Sequence, residues 1–344
     1  MKTETPVEKL RRMHLLTIMT ALFVVGLGAY TRLEHAGLGC PDWPKCYHNW
    51  FVHPQIATPA LSINDTFKAW LEMIHRYAAG LLCIGILLLN IYRKNKDNTL
   101  ILRFIALCTI LQAAFGMWTV TWRLHPLAVM PHLIGGMTIT ALLTLDYRNQ
   151  YASKRPILTT PTTITTCLRA LMVVLWLQII LGGWTSANYA ALVCPDFPTC
   201  QGKWGAPLHY FIQGFTAPFG FRTYEGGVLS GNGRIAIHIA HRFGAFICTV
   251  IMSWLITQVY QWRHQLTQQF IRKTQLLTVL FIVQIALGIL NVVWTLPIST
   301  ALLHNLVALG LLLQVIVLLT QKSQLSKVNH SHTPHFTRHV PTIN

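Results

Sequence analysis

Gly28–Cys46 reads GAYTRLEHAGLGCPDWPKC, and Gly182–Cys200 reads GGWTSANYAALVCPDFPTC. At an offset of 154 residues the Gly, Thr, Ala, Leu and Cys-Pro-Asp-aromatic-Pro-x-Cys positions stay in step. Further along, Gln112, Gly116, Trp122, Leu124 and His132 recur as Gln284, Gly288, Trp294, Leu296 and His304, now at an offset of 172. Between these blocks, HRYAAG at 75–80 answers HRFGAF at 241–246. Self-similarity over this length means that one structural unit is present twice. The offset grows because the second Cys-containing loop is the longer one.

The duplicated unit is membranous. Only 11% of the 344 residues are charged and 53% are hydrophobic, where a soluble chain carries about a quarter charged residues. A helix needs about 20 predominantly apolar residues to cross hydrocarbon. Eight stretches qualify, near 14–30, 70–92, 101–121, 127–146, 167–186, 235–260, 274–294 and 298–319. The first, lacking a small-residue cleavage site, reads as a retained span rather than a signal peptide. Four spans per unit return the chain to its starting side, so the repeats run parallel, related by a pseudo-two-fold along the membrane normal. The expected fold is all-α: two tandem four-helix bundles, a scaffold that seats cofactors between facing helices. Residues 1–150 form the N-terminal half, 151–325 the C-terminal half and 326–344 a polar cytoplasmic tail.

The formal charge of +17 is spread over short clusters between apolar runs. Neither a basic face nor a nucleic-acid motif accompanies it, which excludes nucleic acid as the partner and leaves the bilayer. Lys9, Arg11, Arg12, Arg93, Lys94, Arg148, Lys154, Arg263, Arg272 and Lys322 mark one side. By the positive-inside rule that side is cytoplasmic and holds both termini. Loops 31–69 and 187–234 then face outward. Cys40, Cys46, Cys194 and Cys200 lie in those loops, where disulfides persist. Two prolines stiffen each CxxxxxC loop and can bring Cys40 to Cys46 and Cys194 to Cys200; a zinc site shared by the four is the alternative. Cys83, Cys108, Cys167 and Cys248 read as small hydrophobes of the spans.

Most of the sixteen histidines read as ordinary. His330, His332, His335 and His339 sit in the polar tail, and His35, His48, His53 and His209 in outward loops. His14, His125 and His264 lie near span ends, where an imidazole can reach water. His75, His132, His241 and His304 differ. Each falls about five or six residues inside the outer end of its apolar run, roughly 8–9 Å down at 1.5 Å per residue. They occupy the second and fourth spans of each half, and so form a layer. A polar side chain in hydrocarbon demands a partner; interhelical hydrogen bonds are the plain one. One imidazole pair per bundle is too few ligands for tetrahedral zinc. Heme brings four nitrogens of its own and needs only axial ligands.

Glu72 precedes His75 by three residues and shares its helix face; the matching residue in the second half is His238. The halves are therefore chemically unequal, one suited to a heme that reacts and the other to a heme that relays electrons. An ion pair is the structural alternative for Glu72. Arg76 and Arg242 follow the histidines directly, placed to meet heme propionates or to snorkel to water. Asp146, at the cytoplasmic end of its span, reads as a solvated carboxylate.

Together, TRLEHAGLGCPDWPKC, EMIHR, the His132 helix, CPDFPTC, IAHR and the His304 helix resemble the heme A synthase family, in its cysteine-loop-containing type, over essentially the whole chain. The resemblance implies oxidation of the C8 methyl of heme O, through a hydroxymethyl stage, to the formyl of heme A for cytochrome oxidase assembly. It implies that His75 and His132 flank substrate heme O, that His241 and His304 ligate a resident heme b, and that Glu72 is required. It further implies a disulfide Cys40–Cys46 with a part in catalysis or heme transfer, a second pair Cys194–Cys200, and the bacterial inner membrane as location. A farnesyl-transferring enzyme would supply heme O; the electron acceptor and any homo-oligomer stay open. A diheme b-type cytochrome oxidising quinol is the rival reading, and a proton-relaying transporter a weaker one.

Overall fold

The structure is a computed structural model; it describes residues 5–53, 61–93, 99–151, 160–216, 219–220 and 223–321. Nine helices occur among the described residues: α1 (Pro6–Leu33), α2 (Ile63–Arg93), α3 (Leu100–Thr121), α4 (Pro126–Tyr151), α5 (Thr162–Ala187), α6 (Leu208–Gly214), α7 (Gly231–Gln261), α8 (Gln268–Val293) and α9 (Ile298–Leu319). All except the short α6 are long and apolar enough to span a membrane, and no strand forms among the described residues. The polar tail 326–344, with its four histidines, lies outside the described residues.

Two departures from the hydropathy reading matter for the site. α2 and α7 begin at Ile63 and Gly231 rather than at 70 and 235, so His75 and His241 lie about three turns inside their helices and not five or six residues. α6, invisible to hydropathy, sits in the second outward loop and packs on α7. The indole of Trp184 donates to the Gly214 carbonyl at its end, 2.9 Å away.

Each half is a ring of four helices. α1 packs on α2 and α4, and α3 on α2 and α4, which leaves α2 and α4 on a diagonal; α5, α7, α8 and α9 repeat this, with α7 and α9 diagonal. The halves meet through α1, α4, α5 and α9. Small residues allow the approach: a Cβ on Gly183 of α5 would stand 2.5 Å from Leu133 of α4. At the end that carries the cysteine loops, the Arg32 guanidinium binds the Tyr189 hydroxyl at 2.6 Å and the Ser186 carbonyl at 2.9 Å, tying one half to the other. Apolar side chains fill both the core and the outward face, where Leu16, Phe23, Leu87, Ile110 and Val279 are exposed. A helix apolar all round is the pattern that lipid permits. Cys83 faces outward and Cys108 is half-buried, so only Cys167 and Cys248 are the buried small hydrophobes expected of all four.

Candidate functional site

The two diagonals carry the histidines. His75 on α2 faces His132 on α4 with ring centroids 6.3 Å apart, and His241 on α7 faces His304 on α9 at 6.5 Å. Every ring is seated against a glycine of a neighbouring helix. A Cβ on Gly28 would meet His75 Cε1 at 2.8 Å, on Gly116 would meet His132 at 3.0 Å, on Gly182 His241 at 3.0 Å, and on Gly288 His304 at 3.2 Å. Real Cβ atoms do not come as close as 2.8 Å and rarely come within 3.0–3.2 Å, so the four glycines make room for the rings of the layer. All four belong to the repeat, which was the legible signal; that they serve the rings was not.

Among the described residues, no group of three or more His, Cys, Asp or Glu side chains could hold a metal ion. A metal held by either imidazole pair would have to carry its other ligands with it. Rings bound on opposite sides of one metal at about 2 Å each have centroids about 6 Å apart, the spacing both pairs show. His75 Nδ1 and His304 Nδ1 are buried with no hydrogen-bond partner among the described residues, a cost a ligand would offset. The residues present fit an apolar macrocycle with axial imidazoles.

Glu72 lies one turn outward of His75 and is buried. Its Oε1 accepts from Arg76 Nη2 at 2.6 Å, and its Oε2 accepts from the Cys40 amide at 2.9 Å. The carboxylate thus joins α2 to the first cysteine loop. Arg76 donates onward to the carbonyls of Pro44 and Lys45 at 3.1 and 2.7 Å. The second half repeats this: Arg242 donates to Pro198 at 3.2 Å and Thr199 at 2.5 Å. Without a carboxylate beside it, Arg242 also reaches the Asp196 carbonyl, 2.9 Å away. His238, standing in Glu72's place, contacts the Ala190 carbonyl through Nδ1 at 2.9 Å. Both arginines bind loop carbonyls and stay partly exposed.

Disulfides join Cys40 to Cys46 and Cys194 to Cys200, which removes the shared zinc site. The loops are copies. Asp42 accepts from the amides of Tyr47 and His48 at 2.7 and 2.9 Å. Asp196 accepts from Gln201 and Gly202 at 2.5 and 3.0 Å. The donating residues have positive φ, 51° and 63° in the first loop and 54° and 73° in the second; the side-chain acceptor offsets that conformation. The Asp196 carboxyl is held well below the usual range, first by the Thr199 hydroxyl and then by the Gly202 amide.

Three expectations fail. Asp146 is buried, not solvated, and forms an ion pair with Arg93, itself buried. His14, expected to reach water, is buried beside them, 3.8 Å from the Asp146 carboxylate and 3.0 Å from the Leu143 carbonyl. The reason is that α1, α2 and α4 converge at the ends away from the cysteine loops and close over these groups. His125 is buried as well, beneath Phe219 and Tyr224 of the second outward loop, a loop whose reach over the first half no local pattern announces. His35, His48, His53, His209 and His264 are exposed, as expected.

Fold and site together define a duplicated eight-span membrane protein in which each half offers one facing imidazole pair under a disulfide-closed loop. Residues 11–316 match the family model described as cytochrome oxidase assembly protein (COX15-CtaA), and the chain belongs to that family. It is 40% identical over 321 residues to the heme A synthase of Shewanella oneidensis, covering 88% of this chain and 93% of the relative. A heme A synthase of Wolbachia pipientis subsp. Culex pipiens is 23% identical over 84% of the chain and 90% of its own length. That of Bacillus licheniformis is 24% identical over 86% and 90%.

Proposed function

We propose that this protein is a heme A synthase, an oxidoreductase that acts on a CH group of heme O and converts its C8 methyl to the formyl of heme A. The observation that carries the reading is the pair of facing imidazole pairs, one per half, each at a spacing that admits one metal; the 40% identical relative supports the same chemistry. With water as the oxygen donor, methyl to formyl releases four electrons and four protons. His75 and His132 hold the substrate, and His241 and His304 a resident heme b. When bound, heme b would supply a one-electron carrier toward an acceptor in the membrane.

The chain's own contribution lies in Glu72. Oxidising a methyl group builds positive charge at carbon, and a fixed carboxylate beside His75 stabilises it. A carboxylate in that position is also a candidate base toward an attacking water. Arg76 and the Cys40 amide hold the carboxylate still, and the Cys40–Cys46 loop covers the outer mouth. Arg76 and Arg242 are the proposed partners for propionates, beside the loop carbonyls they bind.

The protein would lie in the bacterial inner membrane with both termini cytoplasmic, the cysteine loops outside, and heme O supplied by a farnesyl-transferring enzyme. The test is the pigment extracted from purified protein, expressed with and without that enzyme. Heme A that appears only with heme O supply supports the synthase. Heme b alone under both conditions would make the protein a diheme cytochrome, and a colourless protein would remove both readings.

A further inference from the structure

Glutamines accompany three of the four layer histidines. Gln178 of α5 donates through Nε2 to the His241 carbonyl at 3.0 Å and lies 3.1 Å from its ring Nδ1. Gln284 of α8 places Nε2 3.2 Å from His304 Nε2. Gln112 of α3 donates to the His132 carbonyl at 2.6 Å, while His132 Nδ1 meets the Gln112 carbonyl at 3.2 Å. The fourth glutamine is missing: at the repeat offset of Gln178 the first half has Val24. His75 is left without a glutamine contact: its Nδ1 is buried and lacks a partner among the described residues, as does Nδ1 of His304, whose ring is instead met at Nε2 by Gln284.

The omission is built into two positions at once. The amide oxygen of Gln178 lies against Gly244, where a Cβ would stand 2.2 Å from it. The first-half counterpart of Gly244 is Ala78, whose Cβ forbids a glutamine in that pose. Gln178 with Gly244 in one half and Val24 with Ala78 in the other are two self-consistent solutions, one that pins an imidazole and one that does not.

We propose that His75 is the exchangeable ligand of the layer: left unpinned, its imidazole swings away to admit heme O and to release the product, whereas the pinned His241 retains a resident heme. This rests on the heme reading above. A group that must enter and leave across a bis-imidazole site has to free one ligand, and the ligand with the fewest restraints leaves first. His132, anchored by two contacts to Gln112, stays as the fixed side.

The test exchanges the solutions between the halves of the full-length protein. Loss of heme O and of heme B from purified holoprotein to an excess of heme-scavenging apoprotein is followed by pigment analysis, with the low-spin EPR signal as a second readout. In the wild type, heme O leaves faster than heme B. Val24→Gln with Ala78→Gly slows heme O loss about tenfold, the upper range for one neutral hydrogen bond, and sharpens its low-spin signal. Gln178→Val with Gly244→Ala speeds heme B loss by a similar factor and leaves heme O unchanged. Unaltered heme O and heme B loss in both doubles overturns the proposal, as does a wild type in which heme B leaves first. A wild type with no heme would instead overturn the functional reading beneath it.

Discussion

The two halves are one design with different contents at both ends. At the outer end they share the disulfide loop, the Asp-capped turn and the loop-gripping arginine, yet Glu72 of one is His238 of the other. At the end away from the cysteine loops His14, Arg93 and Asp146 form a buried polar cluster. Their repeat counterparts are Leu168, Val259 and Leu318, all within the apolar core of the second half. The same bundle therefore closes with either an ion pair or hydrocarbon. Closure needs only complementary packing, so the polar version is a property of the first half and not of the fold. On the proposed function, a handful of substitutions on a common frame would separate a reacting site from a resident one.

The largest expected effect is at the outer end. Glu72→Gln should lower heme A formation by about 10²-fold or more, the scale of a lost preorganised charge, while heme b stays bound; His238→Gln should leave turnover within a few-fold. Pigment analysis of both variants checks this, and normal activity in Glu72→Gln would take the carboxylate out of the chemistry. Next comes the opposite end of the bundle. Arg93→Val alone strands a buried Asp146 and should cost about 3–5 kcal/mol, whereas the second-half set His14→Leu, Arg93→Val and Asp146→Leu together should be near neutral. Thermal unfolding in detergent separates these outcomes; a triple variant no better than the single one would mean that the cluster is required by the first half's packing.

Smaller effects grade the imidazole seats. Gly28→Ala pushes on His75 from 2.8 Å and Gly288→Ala on His304 from 3.2 Å, so overpacking of about 1–3 kcal/mol should fall harder on the first. Heme content of the two variants, normalised to folded protein, should rank in that order. The smallest effect is local to the second loop. Because the folded Asp196 carboxyl is held low, its contribution is present above the unfolded value of about 3.9 and disappears only as pH falls through the folded value. Amide exchange should show Gln201 and Gly202 protected in neutral and mildly acidic solution, with that protection lost at neutral pH in Asp196→Ala.

Periodicity, duplication and the positions of basic residues made the eight spans, the two halves, the cysteine loops and the four histidines readable from the chain alone. These depend on local rules: span length, a fixed repeat offset and the rarity of imidazoles in hydrocarbon. The diagonal placement of α2 and α4, the glycine seat under each ring, the glutamine partners and the burial of His14, Arg93 and Asp146 came only with the tertiary structure. Each depends on which helix lies beside which and at what height, and hydropathy carries no such information. A carboxylate at a span end looks solvated until a neighbouring helix closes over it. Likewise, a glycine looks like a flexible residue until an imidazole occupies the volume its side chain would have filled.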